Sequence, residues 1–458
     1  MSTPIRSKFS NTSNDVKLSI EQMMKHAQAV SKNALVCVSD QLCWVSDGEL
    51  TPITSTPELF ARVNHFADIE WKRNAVTKDE FFAGAKHYVP RFAWSSDTPH
   101  FPPIPSVLYL NPPRKAEKTG KLDALVARFD PATDQDRVLM KAFILTLFWG
   151  GPCGKRPAFT FTSDAGSDKH KGRGTGKTTF TELSSKLVGG TMAIRTSVST
   201  DRALAVLLSP SAKNKRVGLF DNLKAFRFSS DFFESLVTCE EINGHRLHHG
   251  HASRPNYVTY AVTVNGASYS KDMAERSVVI KLKQPKRSGT WYAKTLKLIE
   301  EHSDEIIADV RWHLTRKKKA IEKYDRWEVW CDDVLARLPA PDSLIELLDK
   351  RRKEIDEDDQ ASADYVQHVE ACIRSHGSGM KPDTAHVFIP SPMLLKWLQL
   401  LNPEIRTSGQ VSGIVTQHLS HRIKNQRRAA VRGYVWTGKT ANTQSQPTML
   451  EYKVKTHQ

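Results

Sequence analysis

The period of the apolar positions changes along the chain, and each change marks a different kind of element. After a polar start, IEQMMKHAQAV (20–30) carries apolar residues at helical spacing. ALVCVSD and QLCWVSD read instead as short strands with no more than a turn between them. The stretch from Ile20 to Tyr109 therefore predicts a small α+β unit. HFPPIPSVLYLNPPRK (100–115) is too rich in proline for a regular helix or a central strand, so it predicts a connection. LDALVARF (122–129) and DQDRVLMKAFILTLFWGG (134–151) return to a helical pattern, the second stopping at Gly150, Gly151 and Pro152. From there the pattern becomes α/β. RPAFTFTS is a buried-strand candidate, a glycine-rich loop follows, TTFTELSSKLVGG is a helix with glycine past its end, and NKRVGLFDN (214–222) is another strand.

A further change comes at RRKEIDEDDQASAD (351–364), whose charge fits either a solvated helix or a linker. Beyond it lie a short strand AHVFI, a helix from SPMLLKWLQLL, a turn at Asn402-Pro403, a helix from SGQVSGIVTQHLSHR, and two strands, AAVRGYVWTG and MLEYKVK. Helix, turn, helix, hairpin is a winged helix-turn-helix order. The boundaries that follow are an N-terminal α+β unit over 1–115, a P-loop domain over 116–330, a helical linker over 331–360 and a winged-helix DNA-binding domain over 361–458.

Composition narrows the partners. With 458 residues, 39% hydrophobic and 25% charged, the chain has the make-up of a soluble globular protein of several domains. Its 66 Lys and Arg outnumber 50 Asp and Glu for a net charge of +16, which favours a polyanion such as DNA. Cys37, Cys43, Cys153, Cys239, Cys331 and Cys372 are scattered without a C-x-x-C pair, against a zinc ribbon or a disulfide scaffold. MSTPIRSKFSNTSND has no apolar core of a signal peptide, and the longest apolar run, MKAFILTLFW (140–149), is too short for a bilayer. The expectation is a soluble, cytoplasmic protein with no membrane partner.

The chemistry concentrates in HKGRGTGKTTF (170–180). Gly176, Lys177 and Thr178 close the phosphate-loop pattern G-x-x-x-x-G-K-[ST], but its first glycine falls on Lys171. Gly172 stands one place later, and with Gly174 and Gly176 it permits the close approach and positive φ that such a loop needs. Gly172, Gly174, Thr175, Gly176, Lys177, Thr178 and Thr179 form the expected ATP cradle. Lys177 would reach the β- and γ-phosphates and Thr178 would ligate Mg²⁺. A flexible basic loop has the same composition, and the strand before it and the helix after it argue against that. Asp221, at the end of GLFDN, is the acidic strand end expected to share the metal. The next residue, where many P-loop ATPases carry a glutamate, is Asn222, which orients water but cannot take its proton. Either Glu234, Glu240 or Glu241 serves instead, or hydrolysis is slow. YAVTVNG (260–266) ends a strand at Asn265, and Arg276 follows eleven residues on, before another β-rich run. Taken singly these two are a turn residue and a surface charge.

Together the residues resemble the superfamily 3 helicases, in particular the ATPase of phage, plasmid and poxvirus-type primase-helicases, over about residues 120–330. GRGTGKTT, GLFDN, LVTCEEINGHRLHHG, VTVNG and DMAERSVVIKL stand in that family's order of Walker A, Walker B, B′ motif, sensor strand and arginine. The resemblance implies AAA+-like subunits in a homo-oligomeric ring with ATP at the interfaces. It implies Lys177 and Thr178 for nucleotide and Mg²⁺, Asp221 for the metal, Asn265 as sensor and Arg276 as a finger acting in trans. The B′ segment becomes a pore-facing hairpin, with Arg246, His248 and His249 as candidate DNA contacts. His245, His248, His249 and His251 invite a metal reading, but with no thiolate nearby a solvated or phosphate-contacting hairpin fits better. The first 115 residues show no identifiable primase motif.

Residues 361–458 hold 12 Lys and Arg against 5 Asp and Glu. The charge gathers in HRIKNQRRAAVRGY at Arg422, Lys424, Arg427, Arg428 and Arg432, the expected basic wing on DNA phosphates, with Ser408, Gln410, Ser412 and Gln417 as the groove face. A small domain packed on the ring with a solvated basic face would look the same. Two functions are expected: an ATP-driven DNA-unwinding motor of a phage, plasmid or other mobile element, or a nucleotide-gated DNA-binding, loading or regulatory assembly with little turnover. Asn222 favours the second; the B′ hairpin and Arg276 favour the first.

Overall fold

A computed structural model of the chain describes residues 19–65, 76–112, 114–163, 174–194, 199–223, 227–228, 231–246, 250–264, 268–269, 271–283, 289–322, 326–376, 381–428, 431–438 and 446–450. Helix α1 (Ile20–Val30) opens at a capping box between Ser19 and Gln22. Strands β1 (Leu35–Val38) and β2 (Gln41–Ser46) pair antiparallel across Ser39 and Asp40, both at positive φ (50° and 61°), the backbone of a tight hairpin turn. With β3 (Glu49–Pro52), α2 (Thr56–Asn64), α3 (Lys78–Tyr88) and β4 (Arg91–Phe92) they make a sheet of order β3-β2-β1-β4, and Met24, Leu35, Trp44 and Phe81 share its core.

Next come β5 (Trp94–Ser96) and β6 (Val107–Tyr109), a parallel pair. The proline-rich stretch between them is more than a connection. Phe101 is buried in the central core, and its N–H donates to the Phe148 carbonyl at 2.7 Å.

That core is built on a five-stranded, all-parallel sheet. Helices α4 (Lys121–Val126) and α5 (Asp134–Phe148) precede β7 (Ala158–Ser163), α6 (Lys177–Ser185), β8 (Thr191–Ile194), α7 (Thr200–Leu207) and β9 (Val217–Leu223). A short strand β10 (Arg227–Phe228), α8 (Asp231–Thr238), the hairpin β11 (Glu241–Arg246) and β12 (Gly250–Pro255), and β13 (Thr259–Val264) follow. Then come β14 (Ser268–Tyr269), α9 (Lys271–Glu275), β15 (Ser277–Leu282), α10 (Trp291–Thr315) and α11 (Glu328–Asp333). The sheet runs β15-β7-β13-β9-β8. β13 is buried along its whole length, which is why its sequence, TYAVTV, is apolar apart from two threonines. Phe143, Phe159, Phe161 and Phe180 interlock beneath β7, and Phe129 meets Phe180 edge-on at 4.9 Å. Packing of Phe180 fixes α6, and with it the residues at its amino end.

The charged stretch 351–364 is helix. It lies inside α12 (Pro341–His376), 36 residues long. Leu344, Ile345 and Leu348 pack in the central core, while Val369, Cys372 and Ile373 join a separate cluster with Trp397 and Trp436. Buried Arg351 holds the first half by a two-pronged ion pair with Asp136 of α5, at 2.7 and 2.9 Å. Strand β16 (His386–Pro390), α13 (Ser391–Leu401), α14 (Ser408–Ile414) continued by a π turn over Val415–Leu419, β17 (Ile423–Arg428), β18 (Val431–Thr437) and β19 (Thr448–Met449) complete the chain, in sheet order β17-β18-β16-β19. The expected pairing differs here. The partner of β18 is the basic run Ile423–Arg428 itself, pinned by Ile423 opposite Trp436, and Thr448–Met449 lies on the far edge beside β16. Among the described residues no helix is long and apolar enough to cross a membrane.

Candidate nucleotide site and nucleic-acid surfaces

In a parallel sheet all carboxyl ends point the same way, so the loops after β7, β9 and β13 gather on one side. Gly174 and Gly176 lie there at φ 76° and 88°, backbone conformations that an L side chain resists, and Gly176 is the residue on which α6 starts. The open N–H groups and the dipole of α6 therefore face the same space, an anion-binding arrangement. Lys171, Gly172 and Arg173 lie outside the described residues. Lys177, 6% exposed, donates from Nζ to Thr175 Oγ1 at 3.1 Å. Burial pulls its ammonium from 10.5 down to about 8, with the charge of Asp221 pulling the other way.

The hydroxyls of Thr178 and Thr263 both donate to Asp221 Oδ1, each at 2.6 Å. A threonine at the amino end of α6, a carboxylate from β9 and a threonine from β13 thus converge on one point. The register explains how. Val262 faces Phe220 and Val264 faces Leu223, so β9 carries one extra residue opposite Thr263, a bulge at Asp221 and Asn222 that turns the aspartate toward the loop. These are hard oxygen donors suited to Mg²⁺, and with Lys177 beside them they suit a metal-bound triphosphate. Thr263 is absent from the sequence-derived set, and its signal was there: a polar residue near the carboxyl end of an apolar strand. Thr179 is half-buried on the next step of α6. Glu182, one turn beyond Thr178, has its carboxyl raised by burial and then by Asp221. Asn222 belongs to β9 by its backbone, and Asn265 follows Val264, the last described residue of β13.

Glu234, Glu240 and Glu241 do not stand in for the missing glutamate. The Glu240 carbonyl accepts from Asn256, just before β13 begins, and Glu241 opens β11 opposite Pro255, so both lie toward the amino ends of the strands. Glu234 Oε2 pairs with Arg276 Nη1 at 3.2 Å, both side chains largely buried. Arg276 is at the amino end too: its carbonyl accepts from the N–H of Ala158, the first residue of β7. The phosphate loop leaves the other end of that six-residue strand, roughly 20 Å away at about 3.3 Å per residue. Arg276 and Asp221 of one chain are not brought together.

The segment with LVTCEEINGHRLHHG folds as the hairpin β11–β12, with Gly244 pressed on α7 so that a Cβ would come 3.1 Å from Leu204. His245 and His251 face each other across it, ring centroids 5.6 Å apart and both exposed. His248 and His249 lie outside the described residues, as does the side chain of Arg246.

In the C-terminal sheet, Lys424 and Arg427 on β17 and Arg432 on β18 are exposed; for Arg428 only the strand is described. Arg427 lies directly opposite Arg432, a pairing of like charges that costs stability without an anion. Arg422 departs from expectation. It is 8% exposed, its guanidinium lies over the Trp436 ring at 5.7 Å, and Glu370 and Asp383 stand 3.9 and 4.0 Å away. Two acids remote in sequence make it a core tether between α12 and β17. On α14 and the π turn after it, Ser408, Ser412 and Gln417 are exposed, whereas Gln410 Oε1 is committed to the N–H groups of Arg406 and Thr407 in a capping box.

No family model matches the sequence, and no curated protein does. Among solved structures the chain is similar to the C-terminal region of NrS-1, at 11% identity over 90% of this chain and 98% of that one with a TM-score of 0.41. Another structure of that region gives 13% identity at the same coverages and TM-score. The chain is similar also to JCV helicase, at 15% identity over 52% of this chain and 61% of that one with a TM-score of 0.26.

Proposed function

We propose that the chain is an ATP hydrolase that drives DNA unwinding in the replication of a phage, plasmid or other mobile element, working as a homo-oligomeric ring with ATP and Mg²⁺ at the subunit interfaces. The observation that carries this is the convergence of Thr178 and Thr263 on Asp221 beside Lys177. In this reading Lys177 and the N–H groups of Gly174, Thr175 and Gly176 bind the phosphates, as Gly172 and Thr179 do at the edges of the loop. Thr178 and Asp221 hold the Mg²⁺, which when bound neutralises charge on the transferring phosphoryl group. Asn222 and Asn265 orient the attacking water. Arg276, set at the opposite end of the sheet, stabilises the phosphoryl charge of the neighbouring subunit's ATP. The hairpin β11–β12, with Arg246, His248 and His249, contacts the DNA strand in the pore. Residues 361–458 serve as a winged-helix module, supported by the order β16, α13, α14, β17, β18 and by the exposed charges of Lys424, Arg427 and Arg432, with Arg428 beside them. The domain limits at residues 115, 330 and 360 belong to the same reading.

A second reading, favoured by Asn222, is a DNA-binding or loading assembly gated by ATP binding with little turnover. DNA-stimulated ATPase and fork unwinding for the wild type, Lys177→Ala and Arg276→Ala separate the two. The motor reading expects activity in the wild type alone and partial recovery when the two variants are mixed. ATP-dependent assembly with hydrolysis no higher than in Lys177→Ala would overturn it, and absence of recovery at every mixing ratio would remove Arg276 from its role in trans.

A further inference from the structure

At the amino ends of β9 and β13, away from the phosphate loop, the chain forms an open cleft of about 610 Å³, within the range that holds small ligands. Its walls come from the strip between Trp94 and His100, from the turn after α7, and from β12 running into Tyr257. Among the described residues no carboxylate lines it, whereas Lys213, Arg216 and Arg254 do.

The two arginines are committed to neutral oxygens. Arg216 donates to the carbonyls of Pro99 (2.9 Å) and Leu147 (3.1 Å) and to Ser96 Oγ (3.0 Å), and Arg254 to those of Leu207 (3.2 Å) and Ala212 (2.9 Å). A third, Arg156, lies 5.1 Å from the Tyr257 ring centre and donates to the Pro152 carbonyl. Burial draws Arg216 down to about 9, with Tyr109 and Asp97 pulling the other way, and Arg156 down to about 10. Buried cations bonded to carbonyls and a hydroxyl favour an anion placed near them.

His100 also lines the cavity. Its Nδ1 lies 3.0 Å from the Tyr109 hydroxyl, which also accepts from Ile104 N–H. Its Nε2, in a residue 1% exposed, is buried with no hydrogen-bond partner among the described residues. Burial, then Arg216 and Arg156, keep the ring neutral by holding it well below 6.5. Trp94 and Tyr257, both half-buried, join as one aromatic face, centroids 6.0 Å apart, and Lys213 and Ser253 stand exposed at the rim.

We propose that this cavity binds a nucleoside monophosphate unit, its base against Trp94 and Tyr257 and its phosphate toward Lys213 and the buried arginines. The unit is a free nucleotide or one nucleotide of a single DNA strand, since both present the same base and phosphate. The site is separate from the phosphate loop and does not depend on its role. Titration of the full chain with dTMP and with a short oligothymidylate, in the Lys177→Ala background, reads the cavity without the loop. At least one probe should bind, and Lys213→Glu and Ser253→Glu, both at exposed positions, should each weaken it by about tenfold or more. Binding of dTMP identifies a free nucleotide; binding of the oligonucleotide alone, with the same losses, identifies a strand. Binding of neither probe, or binding indifferent to both substitutions while the thermal melts stay intact, would overturn the site. The ATPase comparison at Lys177 and Arg276 stands or falls separately.

Discussion

Removing Arg351 tests how the long helix is fastened. Its guanidinium meets both oxygens of Asp136 at 2.7 and 2.9 Å and donates to the Val279 carbonyl of β15, with 5% of its side chain exposed and none of the aspartate's. Asp136 also accepts from Lys281 N–H at 2.8 Å and Thr133 Oγ1 at 2.8 Å, so Arg351→Ala leaves a buried carboxylate half-satisfied rather than bare. Breaking such a pair from one side costs about 3–5 kcal/mol, and the two remaining donors favour the lower end. Arg351→Lys should recover little, because a single ammonium cannot fill a two-pronged geometry. The double replacement Arg351→Met with Asp136→Leu should lie much nearer the wild type than either loss alone, since it removes both desolvation costs together. Urea unfolding of the four proteins gives the cycle directly. A cost below about 1 kcal/mol for Arg351→Ala, the range of exposed pairs, would refute the claim that this contact fastens α12 to the sheet.

Other outcomes follow from the same geometry. Lys177 is a base whose folded value, about 8, lies below its ordinary 10.5, so the unfolded chain holds more protons between those values and this residue's contribution to stability rises with pH across that window. Phosphate binding needs the charged form, so affinity for ATP should be level below pH of about 8 and fall by up to about tenfold per unit above it. Isothermal titration across pH measures this; a profile identical in Lys177→Arg, which does not titrate there, would remove lysine as its source. Thr263→Val deletes one of two donors to Asp221 and should raise the Mg²⁺ needed for half-maximal ATPase by about tenfold, with Thr259→Val of the same strand as the unaffected control. Equal responses in the two would deny Thr263 its positioning role. Arg427→Ala or Arg432→Ala should each flatten the salt dependence of DNA binding by about one unit of slope, and relief of the like-charge pair should add about 0.2–1 kcal/mol to stability. An unchanged salt slope in both would mean that the hairpin does not touch phosphates.

Much of this architecture can be read from residues in order, and the failures share a cause. RPAFTFTS, GLFDN and YAVTVNG announce themselves because strands buried on both faces lose their polar alternation. The loop announces itself because Gly174 and Gly176 are needed at positive φ. The sheet order β15-β7-β13-β9-β8 is carried by no local pattern, since it arises from pairings across distant segments. Arg422 looks like its basic neighbours until Glu370 and Asp383 are folded against it. IKNQRR does not alternate because the outer part of β17 is exposed on both faces, so it reads as loop. Phe101 sits in a proline-rich stretch whose composition hides a core position.

A parallel sheet gives this chain two unlike ends, and its charged chemistry is divided between them. Asp221, Thr178 and Lys177 occupy the carboxyl end; Arg276 occupies the amino end, roughly 20 Å along β7, farther than an arginine side chain extends. If Arg276 meets a phosphate at all, that phosphate is held by another copy. Arg352 Nε donates to the Ala274 carbonyl of α9 at 3.3 Å, two residues before Arg276, and Arg351 binds Val279 just beyond it. One helix therefore grips both sides of the arginine and runs on without a break into the cluster around Trp397 and Trp436. That continuous helix joins the segment around Arg276 to the cluster beneath the basic C-terminal strands.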